Sequence, residues 1–199
     1  QWLTYIAFDS LMGNREGGLP TGNNGDYALY CGTLDPRFVL VPRDLDTTLG
    51  QGMGGDPAHD IFQEYIRVVT GPRLDKVLSN PVARSMYYSK ILALITNSYN
   101  SATLNPLIDA KLGGFVSTNR IQALKNFIVA RTNSVLGQLP APGVAYVAAD
   151  SFLPMAPYWT QETGFRSIQA ALDYAATNGI TEIVVGTGVY TGNVCFSGD

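Results

Sequence analysis

Hydrophobic spacing divides the chain into segments of different period. In "WLTYIAFDSLM", Trp2, Tyr5, Ile6 and Met12 fall close to helical spacing, which predicts a helix ending at Gly13. "NREGGLPTGNNGD" follows as loop, with four glycines, a proline and three asparagines in thirteen residues. "YALYC" and "RFVLVP" are short β-like runs on either side of "GTLDP", which predicts a hairpin. After "DLDTTLGQGMGGDPAHD" the period turns helical. "IFQEYIRVV" is amphipathic, and "NPVARSMYYSKILALITNSY" opens with Asn80 as N-cap and Pro81 at the first helical position. "SATLNPLIDAKLGG" reads as another short helix. In "STNRIQALKNFIVARTNSVLGQ", apolar residues recur at Ile121, Leu124, Ile128 and Val135, and Gly137 reads as the stop. A helical bundle packed behind a small β element is expected.

"GQLPAPG", residues 137–143, has the composition of a linker. Beyond it "VAYVAAD" reads as a short strand. "FRSIQAALDYAATNG" reads as an amphipathic helix with Phe165, Ile168, Leu172 and Ala175 on one face and Gly179 as its cap. "TEIVVGTGVYTGNVCFSG" reads as two short strands with glycine turns. The expected organisation is α+β in two parts, residues 1–139 and 140–199, without an internal repeat.

Composition narrows the function classes. The 199 residues are 46% hydrophobic and 15% charged, which suits a core-forming chain. A net charge of −3 gives no electrostatic footprint for nucleic acid or an anionic membrane. No apolar run is long enough to span a bilayer. Cys31 and Cys195 lack the spacing of a zinc site or a disulfide-dense scaffold, and the sequence does not decide whether they pair. The chain starts at Gln1 inside a helical pattern and stops inside a strand pattern, so it reads as an internal piece of a longer protein, and a missing signal peptide says nothing about secretion.

The chemistry concentrates in "FVLVPRDLDTTLGQG", residues 38–52. On an extended chain Asp44 and Asp46 would share one face with Leu45 on the other, and two hard oxygen donors at a strand end suit Mg²⁺. The alternative is that Asp44 caps a turn while Asp46 makes an Asx-turn with Thr47 or Thr48. If the two strands pair, Asp26 would face Asp44 and Asp46, and carboxylates so close repel one another unless a cation binds. His59, the single histidine, reads as a cap or surface residue, with no nucleophile motif beside it. "GQGMGG" lacks the G-K-[ST] of a phosphate-binding loop.

The stretch "NREGGLPTGNNGDYALYCGTLDPRFVLVPRDLDTTLGQG" resembles the core of the spore coat protein H (CotH) kinase family. That family's pattern is an N-x-D loop, an N-Y-x-L-Y strand and a strand running into P-W-D-L-D-x-T-x-G. The helical tail is also similar, so the resemblance covers roughly residues 1–140. It implies the C-terminal lobe of an atypical, secreted or cell-surface protein kinase that uses ATP and Mg²⁺ to phosphorylate protein hydroxyls. By the same resemblance Asp44 and Asp46 are metal ligands, Asp44 with a catalytic role. Asp26 stands where the family has asparagine, as a third ligand or cofactor contact, with Asn14 on the cofactor side. Glu16 stands where the family has its catalytic aspartate. Arg43 replaces the family's tryptophan, and the ATP-binding lysine would lie before Gln1. A binding-only member, or a surface adhesion module whose acidic cluster holds Ca²⁺, is the competing reading.

"FRSIQAALDYAATNGITEIVVGTGVYTGNVCFSG" resembles the capping helix and first rung of a right-handed parallel β-helix of the pectin-lyase type. The resemblance implies further rungs as partners in the full-length chain, and an extracellular binding or carbohydrate-directed role.

Overall fold

Helix α1 (Trp2–Met12) ends where the sequence requires it to. Gly13 adopts φ 66, and its N–H donates to Ser10 O at 3.2 Å while Asn14 N donates to Asp9 O at 3.2 Å. This paired closure satisfies two terminal carbonyls and needs a left-handed residue at position 13. In this computed structural model, which describes residues 2–14, 27–52, 55–62 and 75–196, the chain divides into two compact units. One comprises Gln1–Ser79 with Lys90–Gln138, the other Asn80–Ser89 with Leu139–Asp199. The architecture is mixed α and β, with two separate two-stranded sheets among the described residues.

The first unit contains α1, the antiparallel hairpin of β1 (Tyr27–Cys31) and β2 (Phe38–Pro42), and most of the helices. The expected hairpin forms, with Tyr27 opposite Pro42 and Cys31 opposite Phe38. Its turn is closed by Asp35, whose carboxylate accepts from the Arg37 backbone N–H at 3.0 Å and pairs with the guanidinium at 2.6 Å. The expectation that helices pack behind this β element is not met: apart from Tyr27 and Leu40, the strand residues are exposed. After α2 (Asp75–Ser79) comes α3 (Pro81–Asn97), capped as expected: Asn80 Oδ1 accepts from Val82 N at 3.0 Å and Ala83 N at 3.1 Å.

Asn100 joins two helices. Its Oδ1 accepts from Thr103 N at 2.9 Å at the start of α4 (Ser101–Leu112), and its Nδ2 donates to Ile95 O and Thr96 O at the end of α3. Helix α5 (Thr118–Gln138) buries Ile121, Leu124, Ile128 and Val135, the stripe that the periodicity marks. It runs through Gly137, which was expected to stop it; Gln138 continues the last turn and its side chain holds Ile61 N and His59 O. The segment expected as an amphipathic helix, "IFQEYIRVV", lies outside the described residues except for Ile61 and Phe62, which are in a turn.

The second unit is built on a β–α–β crossover. β3 (Val144–Val147) and β4 (Glu182–Val185) pair in parallel, Val144 opposite Glu182, with α6 (Ile168–Asn178) between them in the chain. Ser167 caps α6, and Gly179 at φ 66 ends it. Ala145, Val147, Phe165 and Ala171 form the core, with Tyr158 stacked on Phe165 at 3.7 Å between ring centroids. The first turns of α3 belong here, through Ser85 Oγ 3.0 Å from Thr163 Oγ1 and Tyr88 edge-on to Trp159. The second strand expected after β4 is absent among the described residues: residues 186–196 carry no strand. Glycines at 186, 188 and 192 break the run, and Gly192 takes φ 119.

Candidate functional site

The segment after β2 is a fixed loop rather than a continued strand. Asp44 has φ 47 and Leu49 φ 54, both in the left-handed region, and Gly50 follows at φ 77. The extended geometry expected to align Asp44 with Asp46 is therefore not present, because Asp44 is left-handed and Asp46 lies in a turn. Non-glycine residues hold such conformations only where their surroundings enforce them. At Leu49 the enforcing contacts are visible. Thr48 N and Oγ1 both donate to Leu45 O, at 3.3 and 2.7 Å, and close a turn over residues 45–48. Leu49 N donates to Met12 O at 2.7 Å, which ties the loop to the end of α1.

A buried polar chain lies beneath the loop. Thr47 Oγ1 donates to Asn14 Oδ1 at 3.3 Å, and Asn14 Nδ2 donates to Asp9 Oδ1 at 2.9 Å. All three residues are at most 4% exposed. Asn14, expected on the cofactor side, thus has both ends of its amide committed to α1 and to the loop.

Asp44 and Asp46 are exposed, and among the described residues neither carboxylate takes a hydrogen bond or an ion pair. Neither the cap expected of Asp44 nor the Asx-turn expected of Asp46 forms; Thr48 N donates to Leu45 O instead. Their hard, anionic oxygens suit Mg²⁺, which keeps most of its water and needs only one or two carboxylates beside phosphate oxygens. No group of three or more His, Cys, Asp or Glu able to hold a metal occurs among the described residues. Glu16 and Asp26 lie outside the described residues.

Beside the aspartates is a small apolar pocket of about 60 Å³. Tyr5, Phe8, Asp9 and Met12 of α1 line one side, and Pro42, Leu45 and Thr48 the other.

Two supporting residues were not singled out by the sequence reading. Arg131 is fully buried and donates to Ser10 O through Nε and Nη2 at 3.2 and 3.0 Å, to Pro57 O at 3.1 Å and to His59 O. It joins α5, the end of α1 and the segment 55–62. The signal was available: Arg131 lies three residues after Ile128 and four before Val135, on the buried stripe. Asp9, the buried end of the polar chain, carried no comparable signal.

No protein-family model matches the chain, and no curated protein matches it.

Proposed function

We propose that the loop 43–50 is the metal-binding element of a CotH-like atypical kinase C-terminal lobe. One observation carries this reading: two exposed carboxylates, free of partners among the described residues, on a loop whose backbone is otherwise held by α1 and by its own turn. Free anionic oxygens on a fixed backbone are what a hard cation requires, since ligand ordering need not be repeated at each binding event. Asp44 and Asp46 would hold Mg²⁺, which would neutralise phosphate oxygens of ATP during transfer to a protein hydroxyl.

Within this reading Asn14 and Thr47 position the loop from below. Glu16 orients or deprotonates the acceptor hydroxyl, and Asp26, which immediately precedes Tyr27 in the chain, joins the metal ligands. The second unit is read as the cap and first rung of a parallel β-helix, with the parallel β3–β4 pair as the supporting observation. The protein belongs, on this reading, at the cell surface or outside the cell.

The test is nucleotide binding by the full-length protein with Mg²⁺, with Ca²⁺ and with neither. Mg²⁺-dependent binding that is lost in Asp44→Ala and in Asp46→Ala supports the kinase reading. Ca²⁺ binding without nucleotide points instead to a structural module, and unchanged nucleotide binding in both variants removes the assignment of these residues.

A further inference from the structure

We propose that the apolar pocket beside the aspartate loop receives a lysine side chain of a protein partner, with the stem inside it and the ammonium at Asp44 and Asp46. The pocket lies between Tyr5, Phe8 and Met12 of α1 and Pro42 and Leu45 of the loop, so its walls are chiefly apolar. It opens to solvent, since Phe8 is 40% and Leu45 45% exposed. At about 60 Å³ it is far below the roughly 300 Å³ of a cofactor-sized site, and it suits a single side-chain stem.

Charge selects among the stems that would fit. Leu45 forms part of the wall, and the residues bonded to it on either side are Asp44 and Asp46, with Cα atoms about 3.8 Å from its own. Both carboxylates are exposed and have no partner among the described residues. Over residues 2–14 and 38–52, which supply the walls, three aspartates stand against one cation, Arg43. A leucine or methionine from a partner would fill the space and leave these charges unused. An acidic side chain would be repelled. A lysine uses both features: its four-carbon stem leaves water in the pocket while the ammonium stays at the hydrated rim. The fixed backbone of the loop helps, because a preformed wall needs no ordering when the partner binds. This assignment does not rest on the metal reading. A lysine and Mg²⁺ would draw on the same two carboxylates, so each weakens the binding of the other.

The test is an NMR titration of the ¹⁵N-labelled chain with Nα-acetyl-lysine methylamide, a lysine without charged ends, and with its Nε-acetylated form, which keeps the stem and lacks the charge. The lysine compound should give saturable shifts at Phe8, Met12 and residues 44–48, and the acetylated form should bind about tenfold more weakly. Asp44→Asn and Asp46→Asn should each weaken the lysine compound about two- to fivefold and leave the acetylated form unaffected. Absence of a saturable shift at these residues overturns the proposal. Equal binding of the two compounds, which marks a plain apolar site, also overturns it, as does lysine binding unchanged in both variants. Mn²⁺ added to the same samples separates this proposal from the metal reading. Lysine binding without Mn²⁺ broadening at residues 43–48 leaves the pocket standing and removes the metal reading; local broadening without lysine binding does the reverse.

Discussion

Gly50 lies directly against the ring of Phe127: a Cβ at position 50 would sit 2.7 Å from Phe127 Cδ2. The glycine also has φ 77, so two separate constraints exclude a side chain there. This contact seats the end of the aspartate loop on α5, while Leu49 ties it to α1. Gly50→Ala therefore meets a left-handed backbone penalty and an overpacked ring together, a loss of about 2–4 kcal/mol. Urea unfolding of the variant checks this, as a lower midpoint at unchanged slope.

Arg131 gives a second prediction. Its guanidinium spreads its donors over main-chain carbonyls of Ser10, Pro57 and His59, an arrangement a single ammonium cannot copy. Arg131→Met keeps the apolar stem but removes the charged donor from Pro57 O and one of the donors from Ser10 O and His59 O, which keep Gly13 N and Gln138 Nε2, at a cost of about 1–3 kcal/mol. Arg131→Lys recovers only part of it. Thermal unfolding of the three proteins, measured together, orders them wild type, Lys, Met from most to least stable.

Tyr99 predicts an alkaline effect of defined sign. Burial pushes its phenol above the ordinary value of 10.0, with the positive charge of Arg131 pulling the other way. The folded chain holds this proton more tightly than the unfolded chain. The stability it contributes is therefore complete below about pH 10 and is lost as the pH rises above that, through the folded-state value. The hydroxyl is buried and has no hydrogen-bond partner among the described residues. Tyr99→Phe should leave stability at pH 7 unchanged or raise it by about 1 kcal/mol, and should flatten the decline between pH 10 and 11. Denaturation midpoints at pH 7, 9, 10 and 11 measure both effects.

In the second unit, Gly164 is needed for space rather than for its dihedral angles. A Cβ there would lie 2.6 Å from Tyr146 O, the atom that accepts from Phe165 N at 2.8 Å. Gly164→Ala forces this backbone pair apart and loosens Phe165, on which Tyr158 stacks, for a loss of about 1–3 kcal/mol. Near-UV circular dichroism should show the tyrosine cluster losing its fixed environment.

The elements legible in the sequence were those set by local chemistry. Asn80 with Pro81, Gly179 at the end of α6 and the hairpin flanking "GTLDP" follow from caps and turn residues, which act within a few positions. Gly137 misled because glycine only weakens a helix, and Gln138 gains enough from Ile61 and His59 to carry α5 past it. The loop at residues 43–50 was legible as composition but not as geometry. Its turn over residues 45–48 and the left-handed Leu49 depend on the Thr48 hydroxyl and on Met12, a residue more than thirty positions away. Arg131 was overlooked because a charge on an apolar stripe reads as an interruption until its carbonyl partners, over seventy positions distant, are seen.

The central claim is that Asp44 and Asp46 hold a divalent cation, and paramagnetic Mn²⁺, standing in for Mg²⁺, tests it most directly. Titrated at substoichiometric amounts into ¹⁵N-labelled chain, Mn²⁺ should broaden the amide signals of residues 43–48 first. Asp44→Asn and Asp46→Asn should each abolish that localised broadening while leaving the rest of the spectrum in place. Broadening that is diffuse over the surface, or that persists at residues 43–48 in both variants, would contradict the account.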